Sequence, residues 1–257
     1  MGWDGAARAA ARGDIVVIVD VLRFSSAVTR AVEQGAIVYP RAYGEDVETI
    51  AAELGAVLAA KSWDDQDRTF SLSPRSYANI EFGTRVVLPS PNGATCTLRA
   101  SAAPRVFAGC LLNASAVAAC VEREMSGSDV ACTVLAAGER WPQPGADGEL
   151  RFALEDHLGA GAIISAIDLT PSPEALACRE AFRSTRDLIQ ETLLGCASGR
   201  ELRAHGREQD VLDCARLDDS QAVPLLRNGA YHPSTLHPRP STFHLPASSP
   251  PPRLHPH

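Results

Sequence analysis

Basic residues are scarce: 24 Lys and Arg stand against 31 Asp and Glu, a formal charge of −7. Nucleic-acid binders usually carry a basic surplus, so that class is set aside. A small anionic substrate is not excluded, because a local group of arginines can outweigh the global sign. Long apolar runs are also missing. None approaches roughly 18 residues, and no signal-peptide core opens the chain, so no membrane partner is expected and the cytoplasm is the expected compartment. The seven cysteines are odd in number and no two are separated by only two residues. They read as reduced, mostly buried thiols, with neither a zinc site nor a disulfide frame. Histidine is nearly absent ahead of the C-terminal stretch, where only His157 and His205 remain. No glycine-rich turn ends in the Gly-Lys-Ser/Thr of a P-loop.

What is present is an alternation of apolar and helical segments along 257 residues with 45% hydrophobic and 21% charged content, enough for one large domain or two packed lobes. Ile15–Asp20 reads as a strand buried on both faces, followed by a helix over Ser25–Gln34 that exits at Gly35. Further strands are expected at Ala36–Pro40, Ala56–Ala60, Arg85–Leu88, Val106–Ala108 and Val130–Ala136. Helices are expected at Gly44–Leu54, Asn92–Ala100 and Asn113–Glu124, with a long loop over Trp63–Asn79. Such spacing predicts an α/β fold with a largely parallel or mixed sheet and flanking helices. From Phe152 the pattern turns helical, through Leu154–Ile167, Pro173–Leu194 and Ser198–Cys214, with Ser198 and Glu201 spaced as a capping box. A short strand at Ala222–Leu226 and an Asn228-Gly229 turn close a domain of residues 1–232. Residues 233–257, rich in proline, serine and histidine, are expected to be a disordered tail.

The chemistry gathers where strands give way to helices. Asp20 ends the first strand, Arg23 follows, and Ser25 and Ser26 open the helix. A carboxylate there can hold a hard cation, a guanidinium can grip an anion through paired hydrogen bonds, and a helix start offers N–H groups to phosphate. The ordinary alternative is that Asp20 caps the turn and Arg23 pairs with it. Ser90-Pro91-Asn92-Gly93 forms a second such turn, suited to an anion nest, and Asn113 opens a third helix. Asn-Gly turns and Asn caps are common, so neither decides a function alone. Glu155 and Asp156 start a further helix, where acids favour the macrodipole or could complete a Mg²⁺ site with Asp20.

These segments together resemble one family, the 2-phosphosulfolactate phosphatases of the ComB type. The resemblance rests on Asp20-Val21-Leu22-Arg23 with its serines, Leu72-Ser73-Pro74-Arg75, Asn92-Gly93 and Gly109 with Asn113-Ala114-Ser115. It continues through Ala137-Gly138-Glu139 to Phe152-Ala153-Leu154-Glu155-Asp156, in the family's order from about Ile15 to Tyr231. It implies a Mg²⁺-dependent phosphohydrolase that releases phosphate from (2R)-2-phospho-3-sulfolactate on the route to coenzyme M. The site would comprise Asp20, Arg23 and Glu155 as catalytic residues. Ser25, Ser26, Arg75, Asn92, Gly93 and Asn113 would touch the substrate, and Asp20, Glu155 and Asp156 would hold the metal. The partner is then a small anionic phosphorylated substrate, with self-association into a homo-oligomer left open.

Three departures stand out: Phe24 takes the place of a small residue, where it could narrow the pocket, Trp141–Leu150 looks inserted, and the tail after His232 is extra. With no Asp-x-Asp pair after the first strand, direct attack by water held at the metal is favoured over an aspartyl-phosphate route. A phosphatase of another small phosphorylated hydroxy acid, or a non-catalytic binder of a phosphometabolite, are the competing readings.

Overall fold

A computed structural model describes residues 1–61, 67–141 and 148–233. The chain forms an α/β fold around one mixed eight-stranded sheet. Its order is β3 (Val57–Leu58), β4 (Arg85–Pro89), β2 (Ile37–Arg41), β10 (Ala230–Pro233), β9 (Pro224–Arg227), β5 (Arg105–Gly109), β1 (Ile15–Val19) and β6 (Cys132–Ala136). The strands β3, β4 and β2 are mutually parallel, as are β5, β1 and β6. Between these halves lies the C-terminal hairpin β9–β10, joined by antiparallel ladders to β2 on one side and β5 on the other. Three antiparallel steps reverse direction overall, so the two parallel halves run in opposite senses.

The five apolar residues of β1 are all buried because the strand lies between β5 and β6 with helices on both faces. Ile15, Val17 and Val19 pack toward α5 (Ala114–Met125) and α6 (Leu154–Ser165). Val16 and Ile18 point the other way, toward α1 (Gly2–Arg12) and α4 (Gly93–Arg99). The period-2 alternation of a strand is what divides one apolar run between two cores. The helix α1 lies ahead of the first expected element. Its alanines favour helix, Gly13 ends it in the left-handed region at φ 80°, and Ala6 and Ala9 are fully buried.

Most expected elements form within a residue or two: α2 (Phe24–Glu33), α4, α5 and α6 follow the predicted order, while α3 (Val47–Leu54) starts three residues later than expected. The expected loop before β4 contains a 3₁₀ turn at Pro74–Tyr77, while residues 62–66 lie outside the described residues. The long helix expected over Pro173–Leu194 is broken into α7 (Pro173–Thr185) and α8 (Ile189–Gly195). The next one divides into α9 (Ala197–Ala204) and α10 (Glu208–Cys214), with Gly206 at φ 71° between them. The capping box does not form. Cys196 is the cap, its thiol accepting from Gly199 N at 3.3 Å, and Glu201 instead pairs with Arg151.

Asn228 and Gly229 turn at φ 50° and 76°, as a two-residue hairpin requires. The hairpin's second strand was not expected, and it takes His232 and Pro233, the first residue of the expected tail, into the sheet. The rest of that tail, from 234, lies outside the described residues, as do 142–147 of the apparent insertion. That insertion is flanked by a small ladder of β7 (Glu139–Arg140) and β8 (Leu150–Arg151). The seven cysteines are all free thiols.

Candidate active site

Asp20 is placed by the end of β1 and held there from both sides. Its Oδ1 accepts the Phe24 N–H at 3.0 Å and its Oδ2 the Gly93 N–H at 2.9 Å. Gly93 opens α4, which follows β4 in the opposite half of the sheet, and its N–H reaches Asp20 from there. The residue before it does the complementary work: Asn92 Nδ2 donates to Glu139 Oε1 at 2.6 Å. One turn therefore fixes two carboxylates, Asp20 and Glu139, that come from the ends of β1 and β6. Burial pushes the Asp20 carboxyl up to about 7, against the two N–H bonds, with Glu139 and Glu155 adding repulsion. Glu139 is raised as well, mainly by burial and partly offset by its bonds from Asn92 and Arg140.

Asp20, Asn92 and Glu139 face a cleft of about 690 Å³. Five cations line it, Arg23, Lys61, Arg68, Arg75 and Arg207, with the hydroxyls of Ser73, Ser90, Ser198 and Tyr43, two further acids, Glu201 and Asp210, and apolar side chains such as Leu22 and Leu72. Lys61 is the only lysine in the chain. A protein of net charge −7 thus sets five cations against four carboxylates (Asp20, Glu139, Glu201 and Asp210) around one opening, a local share of positive charge well above that of the whole chain.

Of the residues expected at the site, Asp20, Arg23, Arg75 and Asn92 line this cleft. Arg23 does not pair with Asp20, as the turn-fixing reading had it; its ion pair is with Asp210 on α10. Ser25, Ser26, Gly93 and Asn113 do not line the cleft. Ser25 Oγ accepts from Asp20 N and donates to Ile18 O, and Ser26 Oγ donates to Val21 O, so both hydroxyls tie the strand-to-helix turn internally. The Gly93 N–H is taken by Asp20 rather than offered to an anion. Asn113 is fully buried. Its Oδ1 accepts from Cys110 N, and its Nδ2 donates to Thr29 Oγ1, Ala108 O and Ala222 O.

The pair Glu155 and Asp156 sits behind the cleft rather than in it. Asp156 bridges two strand ends, accepting from Val21 N at 2.8 Å and Gly138 N at 2.9 Å. Its carboxyl is raised well above the ordinary range by burial and by Asp20 and Glu155. Glu155 accepts from the Cys196 thiol at 3.4 Å. Among the described residues, no three His, Cys, Asp or Glu side chains are placed to hold a metal ion by themselves. Phe24 is not in the lining either; it is fully buried, edge-on to Tyr231.

Glu139, Ser73 and Asp210 were not among the expected site residues. Glu139 and Ser73 lie inside motifs already singled out, whereas Asp210 sits in an ordinary helical stretch with no local signal.

The family model described as 2-phosphosulpholactate phosphatase matches residues 5–229. The chain belongs to this family. Among its relatives, the 2-phosphosulfolactate phosphatase of Methanothermobacter thermautotrophicus is 30% identical over 215 residues, covering 84% of this chain and 88% of the other. Proteins named probable 2-phosphosulfolactate phosphatase are 27% identical in Symbiobacterium thermophilum, over 84% of this chain and 93% of that one, and 29% identical in Thermotoga maritima, over 84% and 90%. The family's name denotes a phosphoric monoester hydrolase, and the match spans the turns that carry Asp20, Asn92 and Glu139. No helix among the described residues is long and apolar enough to cross a membrane.

Proposed function

We propose that the protein hydrolyses the phosphate ester of (2R)-2-phospho-3-sulfolactate to 3-sulfolactate and phosphate, on the route to coenzyme M. The observation that carries this reading is the composition of the cleft: two pinned carboxylates facing a wall in which five cations outnumber two further acids, in a chain of this family. The substrate bears phosphate, sulfonate and carboxylate, and Arg23, Lys61, Arg68, Arg75 and Arg207 are the donors of the cleft that would receive them.

The donor set suits Mg²⁺, which takes one or two carboxylates and fills its other positions with water and phosphate oxygens. Asp20 and Glu139 are those carboxylates in this reading. Asn92 Oδ1, buried and without a hydrogen-bond partner beside them, is a further oxygen ligand of the hard type the ion prefers. Bound there, Mg²⁺ would draw charge from the phosphoryl oxygens and favour ionisation of the attacking water. The chain's own share is positional. Phe24 N, Gly93 N and Asn92 Nδ2 keep the two carboxylates in place, and Arg23 meets the negative charge of the phosphoryl group. Asp156 supports the turns after β1 and β6 from behind. Water supplies the oxygen that forms the new P–O bond, and its proton balances the alkoxide that leaves.

The test is phosphate release from 2-phosphosulfolactate and from a panel of other phosphorylated 2-hydroxy acids, with Mg²⁺ and with chelator. Selective, Mg²⁺-dependent release from the sulfonated substrate is expected. Preference for an unsulfonated ester would change the substrate, and binding without turnover would replace the enzyme by a sensor.

A further inference from the structure

Asp210 is a buried carboxylate with both oxygens engaged at the cleft wall. Oδ2 receives Arg23 Nη1 in an ion pair, and Oδ1 receives the Ser73 hydroxyl at 2.6 Å. The three residues come from the turn after β1, the loop before β4 and the helix α10, and all three line the cleft. Arg23 is 9% exposed and Asp210 4%. A buried ion pair adds little net stability, because desolvating both charges offsets much of their attraction. Its retention at the mouth of the site calls for another reason, and Arg23 supplies one. Three residues before it stands Asp20, with Glu139 tied to the same turn as Asp20. An arginine free to rotate would be drawn onto those acids, neutralising the end of the cleft that the reading above assigns to the cation.

We propose that Asp210 is a positioning residue: it anchors the Arg23 guanidinium against the α10 wall and away from Asp20, and Ser73 fixes the rotation of the Asp210 carboxylate. The anchored guanidinium then presents its remaining N–H groups to the substrate's phosphoryl or another anionic group. The proposal rests on the reading of Arg23 as the residue that meets substrate anion.

The experiment is a double-mutant cycle on the full chain with Mg²⁺ present, using wild type, Asp210→Asn, Arg23→Lys and the double variant. For each, kcat, KM, inhibition by inorganic phosphate and the thermal midpoint are measured. Asp210→Asn keeps the shape but removes the charge, and it should lower kcat/KM about tenfold to a hundredfold and weaken phosphate inhibition in parallel. In the Arg23→Lys background the same change should cost less than about twofold, because residues acting as a unit are not additive. Equal losses in both backgrounds would give Asp210 a role independent of Arg23 and overturn the proposal. A lowered midpoint with normal kinetics per folded molecule would overturn it too, leaving a structural pair. Wild-type kinetics in Arg23→Lys would remove the reading of Arg23 and the proposal with it, whereas loss in Arg23→Lys with a silent Asp210→Asn sinks the positioning role alone. Should Asp210→Asn fail to fold, Ser73→Ala removes only the lock; a smaller fall in kcat/KM that vanishes beside Arg23→Lys is expected, and no fall overturns the proposal.

Discussion

Phe24 occupies the space that any side chain on Gly93 would need. A β-carbon on Gly93 would lie 2.3 Å from Phe24 Cδ1 and 2.7 Å from Asp20 Oδ2. The aromatic ring therefore does not narrow the cleft, as its place beside Arg23 suggested. It fills the core edge-on to Tyr231 and sets how closely the α4 backbone approaches Asp20. Gly93→Ala should cost about 1–3 kcal/mol through overpacking and displace the N–H that holds Asp20. Thermal unfolding and kcat should both fall, and Phe24→Leu in the same chain should recover part of the loss. Unchanged stability and turnover would show that the helix start can shift freely.

Asp20 makes the metal-free protein sensitive to pH. Burial raises its carboxyl from 3.8 to about 7, so within that window the folded state keeps a proton that the unfolded chain has lost. Stability is then greatest at the acid end and declines as pH rises through about 7. In chelator, the thermal midpoint of wild type should fall across this range more steeply than that of Asp20→Asn. Above pH 7, Mg²⁺ should raise the midpoint of wild type more than that of the variant. Parallel pH curves would assign the titration to another group.

Glu139 and Asp156 should separate metal binding from scaffolding. Glu139→Gln keeps the shape and removes charge at the cleft, and it should move the Mg²⁺ dependence of activity at least about tenfold higher. In Asp156→Asn, one amide N–H must face a backbone N–H that the carboxylate now accepts, at a cost of about 1–3 kcal/mol. Its midpoint should drop with the Mg²⁺ titration of the folded fraction nearly unchanged. The reverse pattern would return Asp156 to the metal and remove Glu139 from it.

Asn113 gives the clearest contrast between a core amide and a substrate contact. Asn113→Ala leaves Cys110 N and the Ala108 and Ala222 carbonyls short of a partner and should cost at least about 2–3 kcal/mol. That corresponds to a fall of several degrees in the thermal midpoint for a chain of this size. Turnover per folded molecule should stay close to wild type. A lost kcat/KM with an unchanged midpoint would place Asn113 at the substrate after all.

The sequence alone determined what local chemistry controls. The apolar run Ile15–Val19 fitted an interior strand, and the glycines after helices marked their exits. The order of motifs from Asp20 to Asp156 identified the family, since collinear motifs constrain one another as single residues do not. Asn92, Asp20 and Arg23 were legible because they stand just after strand ends, where α/β sheets keep their ligands, and Arg75 because it lies in the family motif Leu72-Ser73-Pro74-Arg75.

Only the tertiary structure decided which of the polar residues near those strand ends face the cleft. Ser25 and Ser26 look like helix-start donors in sequence, but the phase of α2 turns both into the core. The hairpin β9–β10 in the middle of the sheet reverses one half against the other, and the packed halves set Gly93 beside Asp20. The contacts that define the site join Asp156 to Val21, Asn92 to Glu139 and Arg23 to Asp210, residues 135, 47 and 187 positions apart. Local propensity and motif spacing act over one or two turns of chain. Pairings at such separations depend on how the packed halves meet, which only the assembled core fixes.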